Sequence, residues 1–319
     1  MIALAITLLA SAALCWLYLP VARRLQLLDQ PNERSAHSLP TPHGGGVAVL
    51  LGLALGAMIA GPWAGDYLLV LGLGIALMIV GVLDDLWNLS VRLRFALYAG
   101  CSILLADLLL PSASVFLLVA VSLAILWMVN LYNFMDGIDG IAATQCILAC
   151  GSAALLAWDR GAPGASEYAF FCLLLAAAQL GFLLWNWPPA RLFMGDAGSI
   201  PTGLMLSGLT LLGWSGGLLN PACWLILLAV FIADASWTLG CRLVTGQPIT
   251  QAHSLHAYQR LSRYWGSHLL VDLLLVAINA VWLFPLAWAA SSLPDYALIL
   301  VILAYLPLLV GMVRMRKIA

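Results

Sequence analysis

The chain has 319 residues, of which 64% are hydrophobic and only 8% are charged, and its mean hydropathy is +1.03. Soluble domains carry about 25% charged residues, so this composition excludes a soluble globular protein, a disordered chain and a nucleic-acid-binding protein. It predicts an all-α polytopic integral membrane protein, because helices satisfy their own backbone hydrogen bonds in lipid. The formal net charge of −1 does not indicate a partner.

Apolar runs of roughly membrane-spanning length recur along the whole chain and predict about eleven transmembrane helices. They lie at residues 1–20, 47–63, 67–83, 95–111, 114–130, 141–158, 168–185, 200–214, 221–240, 268–290 and 296–313. Arg23 and Arg24 follow the first run and no basic residue precedes it, so we expect an anchor there and not a cleaved signal peptide. We find no linker or repeat, which predicts a single transmembrane catalytic domain over residues 1–319.

The basic residues predict how the chain is oriented in the membrane. If the runs alternate, twelve of the thirteen Lys and Arg residues fall on one side, and only Arg160 lies opposite. Positively charged loops are cytoplasmic, which places the N-terminus outside and the C-terminus in the cytoplasm. The cytoplasmic loops, which hold most of the polar residues, are then 21–46, 84–94, 131–140, 186–199 and 241–267.

The first of these loops reads NERSAHSLPTPHGGG over residues 32–46. Its prolines stiffen the chain, and the three glycines before the second run permit close approach of a ligand or a helix. A flexible entry loop explains the same residues equally well.

Asp84 and Asp85 lie at the predicted cytoplasmic end of the third run, and the first basic residue after them is Arg92. Adjacent carboxylates near a membrane repel each other, a cost that a bound cation or protonation of one member relieves. The pair indicates a metal or phosphate site. Alternatively, the two aspartates only end the transmembrane helix at the membrane–water interface.

The segment NLYNFMDGIDGIA places Asn130, Asn133, Asp136 and Asp139 at every third position. If the segment is helical, this spacing lays the four side chains along one side of the helix. Four polar residues are more than a helix cap needs, so we interpret them as ligand-binding, with a capped helix start as the alternative.

The segment WNWPPARLFMGDAGSIPTG breaks the seventh run at Pro188 and Pro189. Asp196, Gly198 and Ser199 follow and precede the eighth run, where the N–H groups of a helix start can bind an anion. A helix break with an Asp or Ser cap is the alternative.

The last polar loop reads CRLVTGQPITQAHSLHAYQRLSR over residues 241–263. His253 and His256 are three positions apart and are expected on one helical face, with Arg260 one turn further. Because HExxH and a partner cysteine are missing, we prefer phosphate binding to zinc binding. A solvated loop is the alternative.

Acidic residues from three of these loops are predicted on the same membrane face as the basic residues and the histidines. Those acids are Asp84, Asp85, Asp136, Asp139 and Asp196. Mg²⁺ binds one or two carboxylates and takes substrate phosphates as further ligands. The combination predicts phosphoryl transfer at a membrane surface.

The sequence resembles the polyprenyl-phosphate N-acetylhexosamine-1-phosphate transferase family, and within it the branch that initiates O-antigen and teichoic acid synthesis. The motifs TPHGGG, DDLWNLSVRLR, NLYNFMDGIDG, PARLFMGDAGS and HSLHAYQR carry this resemblance over about residues 32–263. It implies transfer of a sugar 1-phosphate from a UDP-N-acetylhexosamine to undecaprenyl phosphate with release of UMP, using Mg²⁺ or alternatively Mn²⁺. It also implies a bacterial inner-membrane protein in contact with membrane lipids, with a cytoplasmic active site and no nucleic-acid partner, and it leaves a homodimer open.

The resemblance further implies a role for each matched residue. Asp84 and Asp85 would be catalytic, and Asp196 and Asp136 would bind the metal. The nucleotide pocket would consist of Asn133, Asp139, Asn186, Phe193 and Ser199, with Phe193 stacked on uracil. Phosphate and sugar would be bound by His253, His256, Arg260, Thr41 and His43.

Four alternatives stay open from the sequence. The first is a phospho-N-acetylmuramoyl-pentapeptide transferase, and the second is a reaction through an aspartyl-phosphate intermediate. A secondary transporter would also place acids in membrane helices. An intramembrane serine protease would use Ser215, but that residue is predicted on the side of the membrane that holds no histidine.

Overall fold

The computed structural model describes residues 1–30, 40–247 and 254–315. The helices, in chain order, are α1 (Ile2–Arg24), α2 (Gly46–Ala60), α3 (Gly65–Trp87), α4 (Val91–Leu109), α5 (Val115–Met135), α6 (Ile141–Arg160), α7 (Ala165–Asn186), α8 (Asp196–Ser215), α9 (Pro221–Leu227), α10 (Ala229–Val244), α11 (Ala257–Trp265), α12 (His268–Ile278), α13 (Phe284–Ser292) and α14 (Ala297–Met315). A π-helical segment, Asn279–Leu283, joins α12 to α13, and a 3₁₀ turn, Pro294–Tyr296, precedes α14. Two short strands, β1 (Leu28–Asp29) and β2 (Thr41–Pro42), pair antiparallel.

This architecture confirms the predicted all-α polytopic membrane protein, and every one of the eleven apolar runs is helical. Among the described residues, seven helices are long and apolar enough to cross a membrane, and the α9–α10 pair would make an eighth span. The remaining three runs correspond to α2, which is short, and to α4 and α8. The count of eleven spans and the orientation stay predictions.

Helix α8 lies at the centre of the bundle, packed against α2, α3 and α5. Sixteen of its 20 residues are buried, so its polar residues meet protein and not lipid. Small residues allow this close packing. A Cβ atom at Gly81 of α3 would lie 2.5 Å from the backbone nitrogen of Ala197. The end of α3 is therefore packed against the start of α8. This packing brings Asp84 and Asp85 close to Asp196.

The ninth predicted run is broken into α9 and α10, which meet at an angle of 72°. A break inside a membrane frees backbone groups that need new partners. The buried Gln145 of α6 supplies one, since its Nε2 donates to the carbonyl oxygen of Leu227 at 2.9 Å. The bend is thus stabilised by a residue far away in the chain.

Candidate active site

A cavity of about 420 Å³ lies where the ends of α3, α5 and α7 come together with the starts of α8, α11 and α12. Most of its lining is polar. The lining residues are Leu28, Asp29, His43, Asp85, Asn133, Asp136, Gly137, Ile138, Asp139, Asn186, Phe193, Gly195, Asp196, Gln259 and His268. Eight of them were singled out from the sequence: His43, Asp85, Asn133, Asp136, Asp139, Asn186, Phe193 and Asp196.

The turn between α5 and α6 carries two of the cavity acids. Helix α5 ends at Met135, and Gly140 adopts a left-handed conformation with φ of 81° before α6 begins. The expected helical row of Asn130, Asn133, Asp136 and Asp139 is therefore wrong beyond Met135. Asn130 instead donates to the carbonyl of Leu126 within the helix. The turn, and not a helical face, points Asp136 and Asp139 at the cavity.

Asn133 holds the carboxylate of Asp196. Its Nδ2 donates to Asp196 Oδ1 at 2.7 Å and to Ser199 Oγ at 3.0 Å. Ser199 is fully buried one turn into α8 and is not part of the cavity lining. The sequence placed Ser199 in the nucleotide pocket, whereas its contact in the structure is with Asn133. Asn133 thus connects α5 to the start of α8.

Arg94 links the aspartate pair to Asp196. Its Nη1 contacts Asp84 Oδ2 and lies 3.4 Å from Asp196 Oδ2. Asp84 is outside the cavity lining because its carboxylate is turned to this guanidinium. The sequence showed Arg94 nearby but gave no reason to pair it with Asp196, which is 102 positions away.

His43 pairs with Asp85, the other member of the aspartate pair. The two groups are 3.5 Å apart, and the backbone carbonyl of His43 accepts a hydrogen bond from Tyr18 at 3.0 Å. The hydrogen bond to the Asp85 carboxylate raises the pKa of His43 above 6.5. Thr41, which the sequence grouped with His43, is buried in β2 opposite Asp29 and is not part of the lining.

Asp136 is the least satisfied acid of the cavity. Among the described residues no side chain donates a hydrogen bond to its carboxylate, and its backbone nitrogen donates to Asn133. Burial raises the pKa of Asp136 well above its usual range, and the nearby Asp196 carboxylate raises it further. A positively charged ligand would relieve both effects.

The carboxylates of the cavity fit the Mg²⁺ that the resemblance implies. Within the described ranges no group of three or more His, Cys, Asp or Glu side chains could hold a metal ion alone. Mg²⁺ does not require such a cage, since it is held by one or two carboxylates together with substrate phosphates and water. Asp136 and Asp196, two neighbouring carboxylates on one cavity, match this pattern.

Asp139, Asn186 and Phe193 also line the cavity. Asp139 Oδ2 accepts a hydrogen bond from the nitrogen of Ala190 at 3.0 Å and lies 3.2 Å from His268 Nδ1. Asn186 accepts from the nitrogen of Gly140 at 2.9 Å through Oδ1. These bonds fix the wall of the cavity, and sequence reasoning missed His268 because it is 129 positions from Asp139.

His256 and Arg260 lie away from this cavity. His256 precedes α11, its side chain is 3% exposed, and its Nδ1 is 3.3 Å from Asp234 Oδ1. Arg260 lines a separate cavity of about 130 Å³ between α10, α11 and α14. The expected helical face shared by His253 and His256 is wrong for His256, because α11 begins only at Ala257. His253 itself lies outside the described residues.

The sequence of the chain is similar to those of known glycosyl transferases. A sequence model of glycosyl transferase family 4 matches residues 67–214. A probable undecaprenyl-phosphate N-acetylglucosaminyl 1-phosphate transferase of Bacillus subtilis is 29% identical over 88% of this chain and 84% of its own length. A decaprenyl-phosphate N-acetylglucosaminephosphotransferase of Mycobacterium leprae is 28% identical over 85% of this chain and 78% of its own length.

A third relative carries a different substrate in its name. The phospho-N-acetylmuramoyl-pentapeptide-transferase of Geobacillus kaustophilus is 30% identical over 88% of this chain and 98% of its own length. Such likeness over nearly the whole length shows common descent. The chain is a membrane-embedded phosphoglycosyl transferase and belongs to the polyprenyl-phosphate hexosamine-1-phosphate transferase family.

Proposed function

We propose that the protein transfers an N-acetylhexosamine 1-phosphate, with GlcNAc as the first choice of sugar, from a UDP-sugar to undecaprenyl phosphate. UMP is released, and the product is the lipid-linked first sugar of a cell-surface glycan such as an O-antigen. One observation carries the proposal: Asp85, Asp136 and Asp196 come from three distant segments and line one cavity. The name of the Bacillus subtilis relative supports the same reaction.

Mg²⁺ is the proposed cofactor, with Mn²⁺ as the alternative, and Asp136 and Asp196 are the residues proposed to hold it. When bound, the ion supplies positive charge between two anionic substrates. Asn133 keeps the Asp196 carboxylate in place, since it donates to Oδ1 at 2.7 Å. Arg94 adds a fixed positive charge on the other oxygen of Asp196.

In the proposed reaction, an oxygen of the lipid phosphate forms a bond to the β-phosphorus of the UDP-sugar. The bond from that phosphorus to the oxygen bridging the α-phosphorus breaks, and UMP leaves with the bridging oxygen. Asp85 lines the cavity, so we assign to it the contact with the lipid phosphate and removal of its remaining proton. Arg94 contacts Asp84, and we assign to Asp84 the role of keeping its neighbour Asp85 in position.

The nucleotide is assigned to the wall formed by Asp139, Asn186 and Phe193. Phe193 offers an aromatic face on which uracil can stack, and Asp139 and Asn186 offer hydrogen-bonding groups. We propose that the cavity opens to the cytoplasmic face of the bacterial inner membrane, where UDP-sugars would reach it, and the distribution of basic residues among the loops supports this. A homodimer stays open.

A muramoyl-pentapeptide nucleotide is the second candidate donor. The observation that favours it is the Geobacillus kaustophilus relative, 98% of whose length this chain matches. Both donors carry the same UDP group, so the cavity chemistry described above serves either.

Purified protein incubated with radiolabelled UDP-GlcNAc, undecaprenyl phosphate and Mg²⁺ tests the proposal. We expect label to enter the organic phase, UMP to appear in equal amount, and EDTA to stop both. A panel of UDP-sugars, including the muramoyl-pentapeptide nucleotide, identifies the donor. Lack of a lipid-linked product with every donor would overturn the proposal. Release of UMP without lipid phosphate would instead indicate an aspartyl-phosphate intermediate.

A further inference from the structure

Helix α12 contributes a histidine to the cavity that no motif marks. His268 is the first residue of α12, its side chain is 15% exposed, and it lines the cavity beside Asp139. Its Nδ1 lies 3.2 Å from Asp139 Oδ2 and 3.4 Å from the backbone nitrogen of the same residue. One ring nitrogen thus contacts both the side chain and the main chain of Asp139.

This contact holds Asp139 in either protonation state of the ring nitrogen. With a proton on Nδ1, the imidazole donates to the carboxylate, and without one it accepts the backbone N–H. The other bond to Asp139 Oδ2 comes from the nitrogen of Ala190 at 3.0 Å. Asp139 is therefore fixed from two elements, the loop after α7 and the start of α12.

Helix α12 is a rigid support for this contact. Ser267 caps it, since Ser267 Oγ accepts from the nitrogen of Leu270 at 3.3 Å. One turn beyond His268, Asp272 is fully buried against Gly140, where a Cβ atom would lie 2.6 Å from Asp272 Oδ2. Two successive turns of α12 thus pack on the segment that carries Asp136 and Asp139.

We infer that His268 is a positioning residue for nucleotide binding, which acts by holding the Asp139 carboxylate at the wall that receives the uridine nucleotide. The inference rests on the proposed function, because that function assigns Asp139 to the nucleotide. It predicts that His268 affects the binding of the nucleotide donor and not the binding of the lipid acceptor.

Three variants test the inference. In His268→Ala, we expect KM for UDP-GlcNAc to rise about 10-fold, since a hydrogen bond to a charged group is lost. We expect kcat and the KM for undecaprenyl phosphate to stay close to wild type. His268→Asn keeps a donor near the position of Nδ1 and should restore KM to within about 3-fold of wild type. Leu269→Ala, at an exposed neighbour on the same turn, is the matched control.

Calorimetric binding of UMP provides a measurement that does not depend on turnover. We expect His268→Ala to weaken UMP binding about 10-fold, and to have no further effect in an Asp139→Ala background. Equal UMP affinity in wild type and His268→Ala would overturn the inference, as would a loss in kcat with unchanged KM. A protein that shows the expected UMP contrast but makes no product would overturn the proposed function alone.

Discussion

Two of the clusters in which carboxylates meet histidine or arginine among the described residues differ in how fully their hydrogen bonds are satisfied. The closed cluster consists of Asp234, Thr238, His256, Ala257 and Tyr258. Asp234 is 2% exposed, accepts bonds from Thr238 and from the nitrogens of Ala257 and Tyr258, and lies 3.3 Å from His256 Nδ1. These bonds hold the start of α11 on α10.

The open cluster consists of His43, Asp85, Arg94, Asp136 and Asp196. Its carboxylates line a cavity, and Asp136 accepts no side-chain hydrogen bond within the described part of the chain. Buried charge without partners is costly, so such a cluster persists where a ligand completes it. Both clusters contain Asp and His residues, so residue type does not distinguish them. Carboxylate oxygens that receive few hydrogen bonds mark the binding site, and fully bonded ones mark the structural contact.

The largest effect is expected at Asp196. Asp196→Asn keeps the shape and the bond to Asn133 but removes the negative charge, so we expect turnover to fall about 100-fold or more. Thermal stability should stay close to wild type, because the charge is not fully compensated in the free protein. The measurement is lipid-linked product formation together with the melting temperature in detergent.

Asp66→Asn, at an exposed aspartate at the start of α3, is the matched control and should keep wild-type turnover. Wild-type turnover in Asp196→Asn would contradict the assignment of the open cluster as the catalytic centre.

Asp234→Asn should show the opposite pattern. The amide cannot accept all of the bonds that the carboxylate receives, and its NH₂ group faces a donor, so we expect a loss of about 2–4 kcal/mol in unfolding free energy. Turnover per folded molecule should stay within a few-fold of wild type. Asp107→Asn, at an exposed site of α4, is the control for stability. A stable but inactive Asp234→Asn would place Asp234 in the catalytic machinery.

The contrast between the clusters was only partly visible in the sequence. Apolar runs located every long helix, because a helix that lies in lipid consists mainly of apolar residues. Helix ends were harder, since α5 continues five residues past the apolar run at 114–130 and carries Asn133. The break between α9 and α10 falls within apolar residues and depends on Gln145 from another helix, so no local pattern could show it.

For the site, the motifs predicted which residues lie close together but not which of them form hydrogen bonds or ion pairs. Asp136 and Asp196 were predicted together and line one cavity. The sequence grouped His256 with the phosphate-binding residues, but burial against Asp234 gives it another contact. The contacts of Arg94 and His268 with the carboxylates depend on long-range packing, which spacing along the chain does not encode.

A smaller effect is expected at Arg94, which joins the aspartate pair to Asp196. Arg94→Gln removes the positive charge between Asp84 and Asp196, so the two carboxylates repel each other and we expect turnover to fall about 10-fold. Arg92→Gln, at an exposed neighbour, should keep wild-type turnover. Equal rates for both variants would show that Arg94 does not help to arrange the open cluster.

The smallest effect is expected at His43, and it depends on pH. Asp85 raises the pKa of His43 above its unfolded value of 6.5, with weaker contributions from Asp29 and Asp196. The stabilisation is therefore fully present below pH 6.5 and is lost as the pH rises through the folded-state pKa. The side chain in His43→Gln cannot be protonated, so the melting temperature of this variant should fall below wild type at about pH 5.5 and approach it at about pH 9. The pair is partly exposed, which limits the difference to about 1 kcal/mol or less.

An Asp85→Asn background isolates the contribution of the pair. There the neutral amide no longer raises the pKa of His43, so adding His43→Gln should change the melting temperature by nearly the same amount at low and at high pH. The comparison needs four proteins, namely wild type, each single variant and the double variant, each melted in detergent across the pH range. If the melting temperature of His43→Gln fell further below wild type as the pH rose, the sign would be opposite to that of a protonated His43 held by Asp85, and the pairing would be contradicted.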